Sequence, residues 1–157
     1  MDVFKLWIDH GKRLSNAGYS YIVIPSVTEP ELTGTNTGRS IEVLANNKDI
    51  QAVKHTGLNV CQIVFYKAGK ISVTPDITIS MDSSGLIMVR TEEKGIKEIS
   101  VSDPSRRLGK IHFSVSVRID KKGSDFKAIW DEAEGFTEIS VGLPQGVYAG
   151  RSVTVIL

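Results

Sequence analysis

Along residues 111–119 apolar and polar side chains alternate without a break. Ile111, Phe113, Val115, Val117 and Ile119 fall on one parity, and His112, Ser114, Ser116 and Arg118 on the other. Successive side chains of an extended strand point to opposite faces, so this period of two predicts a strand with one face in a core and one in water. Ile77, Ile79 and Met81 repeat the rhythm with Thr78 and Ser80 outward, as do Thr137, Ile139, Val141 and Leu143, and Ser152 to Leu157 reads as a finishing strand. Short turn signals separate such runs: Lys48-Asp49, Ala68-Gly69-Lys70, Asp82-Ser83-Ser84-Gly85, Lys94-Gly95, Asp103-Pro104 and Lys121-Lys122-Gly123. Strands at this spacing, with helical periodicity nearly absent, predict an all-β chain built as an antiparallel β-sandwich. One segment stays open: in Asp125 to Glu134, Phe126, Ile129 and Trp130 would suit a single helical turn capped by the preceding Gly-Ser-Asp.

The N-terminal quarter has a different rhythm. Phe4, Leu6 and Ile8 alternate with Lys5, Trp7 and Asp9, and Tyr19 to Pro25 repeats the pattern up to a strand-ending proline, which predicts a β-hairpin. Ser26 to Arg39 is rich in Thr, Gly and Pro and shows neither period, which predicts a linker. The chain thus divides into a hairpin at 1–25, a linker at 26–39 and a sandwich at 40–157. Two strands have no core of their own, so the hairpin reads as the remnant of a larger β-domain. Leaving Phe4, Leu6 and Ile8 wet forgoes roughly 1.5–3 kcal/mol each. The hairpin is therefore expected to dock on the sandwich or to drive self-association through its open edges.

Charge narrows the partners. Nineteen basic and eighteen acidic side chains leave a formal +1 over 157 residues, which announces neither a nucleic-acid groove nor a polybasic membrane patch. Lys12-Arg13, Arg106-Arg107 with Lys110, and Lys121-Lys122 are the local clusters, and doublets at turns read first as solvating charges. The single cysteine, Cys61, lies within the apolar run Val60 to Phe65 and reads as a buried small hydrophobe. No run approaches the ~20 apolar residues of a membrane span, and the sequence carries no export signal.

Catalytic and metal chemistry find little footing. His10, His55 and His112 are far apart in sequence and none has a second His or a Cys at ligand spacing. His10 follows Asp9 at a strand end, where a turn-stabilising contact is the plain reading. Glu92 and Glu93 would point to opposite faces of a strand, and Asp131, Glu132 and Glu134 lack the spacing of a calcium loop. No catalytic, cofactor-binding or metal-binding residue is predicted, and no cofactor. For glycan contact the exposed-aromatic candidates are Trp7, for which packing is the favoured role, and Trp130, whose acidic neighbours would repel sulfated or uronate chains.

The segments Trp7-Ile8-Asp9-His10-Gly11, Tyr19-Ser20-Tyr21, Ile41 to Asn47, Ile50 to His55, Val64 to Gly69, Ser102 to Ser105 and Leu143 to Val153 together resemble the end of polysaccharide lyase family eight, the chondroitin AC, hyaluronate and xanthan lyases. The resemblance implies the last hairpin of a central β-domain followed by a C-terminal β-domain. It further implies a parent enzyme, secreted or periplasmic, that cleaves acidic, uronate-containing polysaccharides by β-elimination. The family's catalytic Asn, His, Tyr and Arg belong to a helical toroid and to earlier parts of the central domain, and none of them matches a position here. Read this way the chain is a non-catalytic support, with the toroid and central β-domain as partners. The alternative is a stand-alone carbohydrate-binding or interaction module.

Overall fold

The structure, a computed structural model, describes residues 7–13, 15, 17–34, 40–93, 95–121 and 123–157. Among these residues eleven strands form two antiparallel sheets. The first holds β1 (Ile41–Asn46), β2 (Ile50–His55), β3 (Val60–Phe65), β6 (Gly85–Glu92), β7 (Gly95–Ser102) and β11 (Val153–Ile156), in the order β1-β2-β3-β6-β7-β11. The second holds β4 (Gly69–Ser72), β5 (Thr78–Met81), β8 (Lys110–Val115), β9 (Phe126–Asp131) and β10 (Phe136–Gly142), in the order β4-β5-β8-β10-β9. The predicted sandwich is present, and the parity read from the sequence selects its interior. Ile63, Phe65, Ile87, Val89, Ile99 and Val101 of the first sheet meet Ile79, Met81, Ile111, Phe113, Val115, Ile139 and Val141 of the second, all buried. Burying each such side chain contributes about 1.5–3 kcal/mol, which makes this layer the main stabilising element.

One glycine fixes how closely the sheets approach. A Cβ on Gly85 would sit 2.8 Å from Ile111 Cδ1 and 3.3 Å from both Met81 Sδ and the Ser102 carbonyl. The strand therefore starts on a residue without a side chain because facing layers already fill the space.

The alternation from 111 to 119 is not one strand. β8 ends at Val115, opposite Thr137. Ser116 instead exchanges backbone and hydroxyl hydrogen bonds with Asp76 and Thr78: its N–H donates to the Thr78 carbonyl (3.0 Å), its Oγ accepts from the Thr78 N–H (2.8 Å) and donates to the Asp76 carbonyl (3.1 Å). Beyond it the buried Thr137 hydroxyl replaces the ladder, donating to the Val117 carbonyl (2.6 Å) and accepting from the Ile119 N–H (3.1 Å). Ile119 stays in the core although its backbone has left the sheet. The open segment resolves as β9, whose Phe126 and Ala128 pack on the core rim beside β10. Asp131 Oδ1 accepts the N–H groups of Ala133 (2.9 Å) and Glu134 (3.1 Å), so the acidic run is the hairpin turn after β9 rather than a helix.

The expected N-terminal hairpin falls partly outside the described residues. Residues 7–13 and 17–25 include no strand, while Phe4 and Leu6 lie outside the described residues. The two segments do approach, with the His10 and Tyr19 ring centroids 5.4 Å apart and Tyr19 stacked on Tyr21 at 6.1 Å. Trp7, Ile8, Tyr21 and Val23 are exposed. The linker also contains a helix, α1 (Glu29–Gly34). Its start shows the carboxylate half of a capping box: the Thr28 N–H and hydroxyl both donate to Glu31 Oε2, at 2.8 and 2.7 Å. Thr28-Glu29-Pro30-Glu31 displays this signature in the sequence, where the Thr and Pro content was read as linker composition.

Candidate functional site

The two candidates for glycan contact, Trp7 and Trp130, lie on different elements. Trp7 is exposed in the N-terminal segment. Trp130 is half-buried on β9, with its indole N–H donated to Glu132 Oε2 and the Arg118 guanidinium 6.0 Å above its ring. Arg118 is itself held by Asp120 (3.0 Å) and Glu132 (3.6 Å), so this aromatic face is already occupied by a charge network. His10, His55 and His112 do not converge. His112 is exposed on β8, His55 Nδ1 accepts the Leu58 N–H (3.2 Å), and Asp9 caps the Gly11 N–H (2.8 Å) beside His10. Glu92 pairs with Lys97 (3.4 Å) and Glu93 occupies a turn with φ of 42°. Cys61 is buried under β3, and burial, with Glu42 adding to it and Lys54 opposing, pushes its thiol up to about 11. A thiol so held is protonated and unreactive near neutrality.

Polar chemistry instead gathers where two loops meet at one end of the sandwich. The loop 103–109 leaves β7 and the loop 143–152 leads into β11. Asp103 is buried, and its carboxylate accepts three backbone N–H groups: Ser105 at 2.9 Å, and Arg107 and Leu108 at 2.8 Å each. Burial pushes this carboxyl up, but the Ser105 hydroxyl and the backbone bonds from Leu108, Arg107 and Ser105 outweigh it and hold it below the usual carboxylate range. The same wrapping holds Arg106 at φ of 60°, a left-handed conformation that a non-glycine residue keeps only when its surroundings impose it. Across the gap, Gln145 Nε2 donates to the carbonyls of Leu108 (3.0 Å), Leu143 (3.1 Å) and Pro144 (3.1 Å) and so ties the loops together. Gly146, which opens a 3₁₀ turn (Gly146–Tyr148), and Gly150 beyond it take positive φ, and the turn lifts Val147 and Tyr148 into solvent. Arg151 lies 4.7 Å over the Tyr148 ring, and the stem of Arg106 packs 3.3 Å from where a Gly150 Cβ would be. Sequence reading noticed Arg106-Arg107 as a doublet but missed Tyr148 and Arg151. The Gly-x-Tyr-x-Gly-Arg run was the available signal, and only the fold brings it beside the doublet.

A second feature is the outward face of the six-stranded sheet. The register aligns Gln51, Val64, Leu86 and Ser102 in one row and Val53, Gln62, Met88, Ser100 and Thr154 in the next. Val64, Leu86 and Met88 form its apolar centre, and Val53 is exposed. Residues 17–21 run along the β1–β2 side of this face, against Val43, Ala45 and Val53, and Asn46 Nδ2 donates to the Tyr19 carbonyl (3.0 Å).

Two antiparallel sheets closed on one core, with polar loops at an end, define this chain as a β-sandwich domain. Residues 42–112 match the model of polysaccharide lyase family 8, C-terminal beta-sandwich domain. The chondroitinase-AC of Pedobacter heparinus is 35% identical over 153 residues, 97% of this chain and 20% of that protein. The xanthan lyase of Bacillus sp. strain GL1 is 30% identical over 101 residues, 64% of this chain and 10% of that protein. A solved chondroitinase AC lyase, studied in enzyme–oligosaccharide complexes, superposes with a TM-score of 0.62 at 27% identity, over 84% of this chain and 17% of its own. The chain is thus a β-sandwich domain similar over residues 42–112 to the C-terminal domain of polysaccharide lyase family 8, with lyases of that family among its homologues, in keeping with the resemblance of its sequence motifs. It spans about a fifth or less of the length of these relatives.

Proposed function

We propose that this chain is the non-catalytic C-terminal support of a polysaccharide lyase acting on acidic, uronate-containing glycan outside the cytoplasm. The observation that carries the reading is the outward face of the six-stranded sheet. Val53, Val64, Leu86 and Met88 form a contiguous apolar surface, of a kind that soluble domains cover with a partner. The occupant we assign to it is another β-layer of the same enzyme. Residues 17–21 already approach along this side of the sandwich, and the relatives are about five times longer than this chain. Bracing by such a face contributes apolar burial and fixes the orientation of the neighbouring layer, while proton abstraction and carboxylate neutralisation belong to other parts of the enzyme.

The test has two arms. The purified chain is incubated with chondroitin sulfate, hyaluronan and xanthan, and the ultraviolet absorbance of unsaturated uronate ends is followed; no rise is expected, and a rise that survives repurification overturns the non-catalytic assignment. In the second arm this chain replaces the matching fifth of the Pedobacter heparinus chondroitinase-AC. The chimera is expected to be soluble and active, and to lose both properties with Val64→Asp and Met88→Asp together. A double variant as soluble and active as the parent chimera removes the docking face from the proposal.

A further inference from the structure

We infer that the paired loops 103–110 and 143–151 form a second contact site for acidic polysaccharide, formed by Arg106, Arg107 and Arg151 with Tyr148. The inference rests on the acidic-glycan reading above for its ligand class, and on the following geometry for its place. Arg106, Arg107, Lys110 and Arg151 are all exposed, and none is in an ion pair among the described residues, whereas Lys48, Lys67, Arg90, Lys97 and Arg118 each face a carboxylate. The one acid in the two loops, Asp103, is turned inward and consumed by backbone donors. Four cations against one acid give these segments a formal +3, while the whole chain is only +1, so the remainder is −2. The charge therefore concentrates at one end of a nearly neutral molecule.

The surface is also preorganised. Asp103 and Gln145 fix both loop backbones through six hydrogen bonds, so ordering them costs nothing further when a ligand arrives. Guanidinium groups match carboxylate and sulfate geometry bidentately. Tyr148, 54% exposed and with Arg151 at its ring, offers an aromatic surface beside those cations, which suits a chain of pyranose rings carrying an anion on alternate residues. Trp130 offers no such combination, because its partner Arg118 is neutralised by Asp120 and Glu132.

The experiment uses the full chain with fluorescent hyaluronan and chondroitin sulfate oligosaccharides, and with neutral dextran as comparator, by anisotropy over a salt series. Binding of both anionic glycans that weakens with salt is expected, with none to dextran. R106Q/R107Q/R151Q is expected to weaken it at least about tenfold and to flatten the salt dependence, since charge-assisted contacts are lost. Tyr148→Ala is expected to weaken it severalfold with the salt dependence kept. K70Q/K127Q, on the five-stranded sheet, is the matched control and should stay within about twofold. Thermal melting accompanies each variant, and Arg107→Gln with Arg151→Gln alone serves if Arg106 proves necessary for the loop. Absence of binding by the parent chain, equal binding to dextran, or folded arginine variants that bind as well as the parent overturn the inference. A chain that is silent in the lyase assay and binds no glycan leaves the supporting role standing and removes this site alone.

Discussion

Thr137→Val tests whether a single hydroxyl replaces the sheet ladder beyond β8. The substitution keeps side-chain shape and removes one donor and one acceptor from a residue with no solvent exposure. It leaves the Val117 carbonyl and the Ile119 N–H, now satisfied at 2.6 and 3.1 Å, without their partner. Each buried unsatisfied group costs about 1–3 kcal/mol; Val117 lies nearer the surface than Ile119, so the pair is expected to cost about 2–4 kcal/mol. At this domain size that corresponds to a melting midpoint lower by about 8–16 °C. Thr137→Ser keeps both bonds and loses one buried methyl, worth about 1 kcal/mol. Urea denaturation and differential scanning calorimetry on all three proteins should rank them wild type, then serine, then valine. A valine variant as stable as the serine variant would show that water or backbone relaxation satisfies the segment 116–120 and that the hydroxyl is incidental.

Asp103 should make the end loops sensitive to acid. Its folded-state carboxyl is held below the ordinary value, so its contribution is complete above the unfolded value near pH 4 and is lost as pH falls through the folded value. The stability gap between the parent and Asp103→Asn should therefore be constant from pH 5 to 8 and close on acidification, as read by urea midpoints at each pH; a gap that widens in acid contradicts the assignment. Cys61 should resist a thiol reagent such as DTNB at pH 8 in the native protein and react at once in urea, because its thiol is pushed up to about 11 by burial; prompt native labelling would refute this. Gly85→Ala should destabilise by roughly 1–3 kcal/mol, since the new methyl meets Ile111 at 2.8 Å inside a filled layer; a neutral result would mean the sheets can part without cost.

What was legible in the sequence was whatever depends on side-chain parity. Ile111, Phe113 and Val115, or Ile139 and Val141, must lie on one face if the backbone is extended, and burial makes that face the core. Parity alone does not tell where a ladder stops. Ile119 keeps its buried side chain through a bend, because Thr137 supplies the bonds that a neighbouring strand would have supplied. Periodicity was also ambiguous over Phe126 to Asp131, an edge strand only partly buried, where the pairing with β10 decides the outcome. In the N-terminal segment the alternation of Phe4, Leu6 and Ile8 begins outside the described residues, and residues 7–13 and 17–25 form no ladder among those described. The end-loop cluster was the least legible, since Arg106 and Arg151 are separated by 45 positions and meet only through the crossing of chain segments that Gln145 secures.

The strand order has a consequence for how this domain is made. After β3 the chain moves to the opposite sheet for β4 and β5, returns for β6 and β7, leaves again for β8 to β10 and comes back for β11. Each sheet is thus assembled in instalments, and the six-stranded one is closed against β7 only by Val153–Ile156 at the far end of the chain. A portion ending at Gly142 holds every strand of the five-stranded sheet but leaves the six-stranded one without β11, and contacts so distant in sequence must all form before burial repays the ordering of the chain. The sandwich consequently becomes complete only when β11 joins it, and loss of Val153–Ile156 would leave β7 with an open edge inviting association with another molecule.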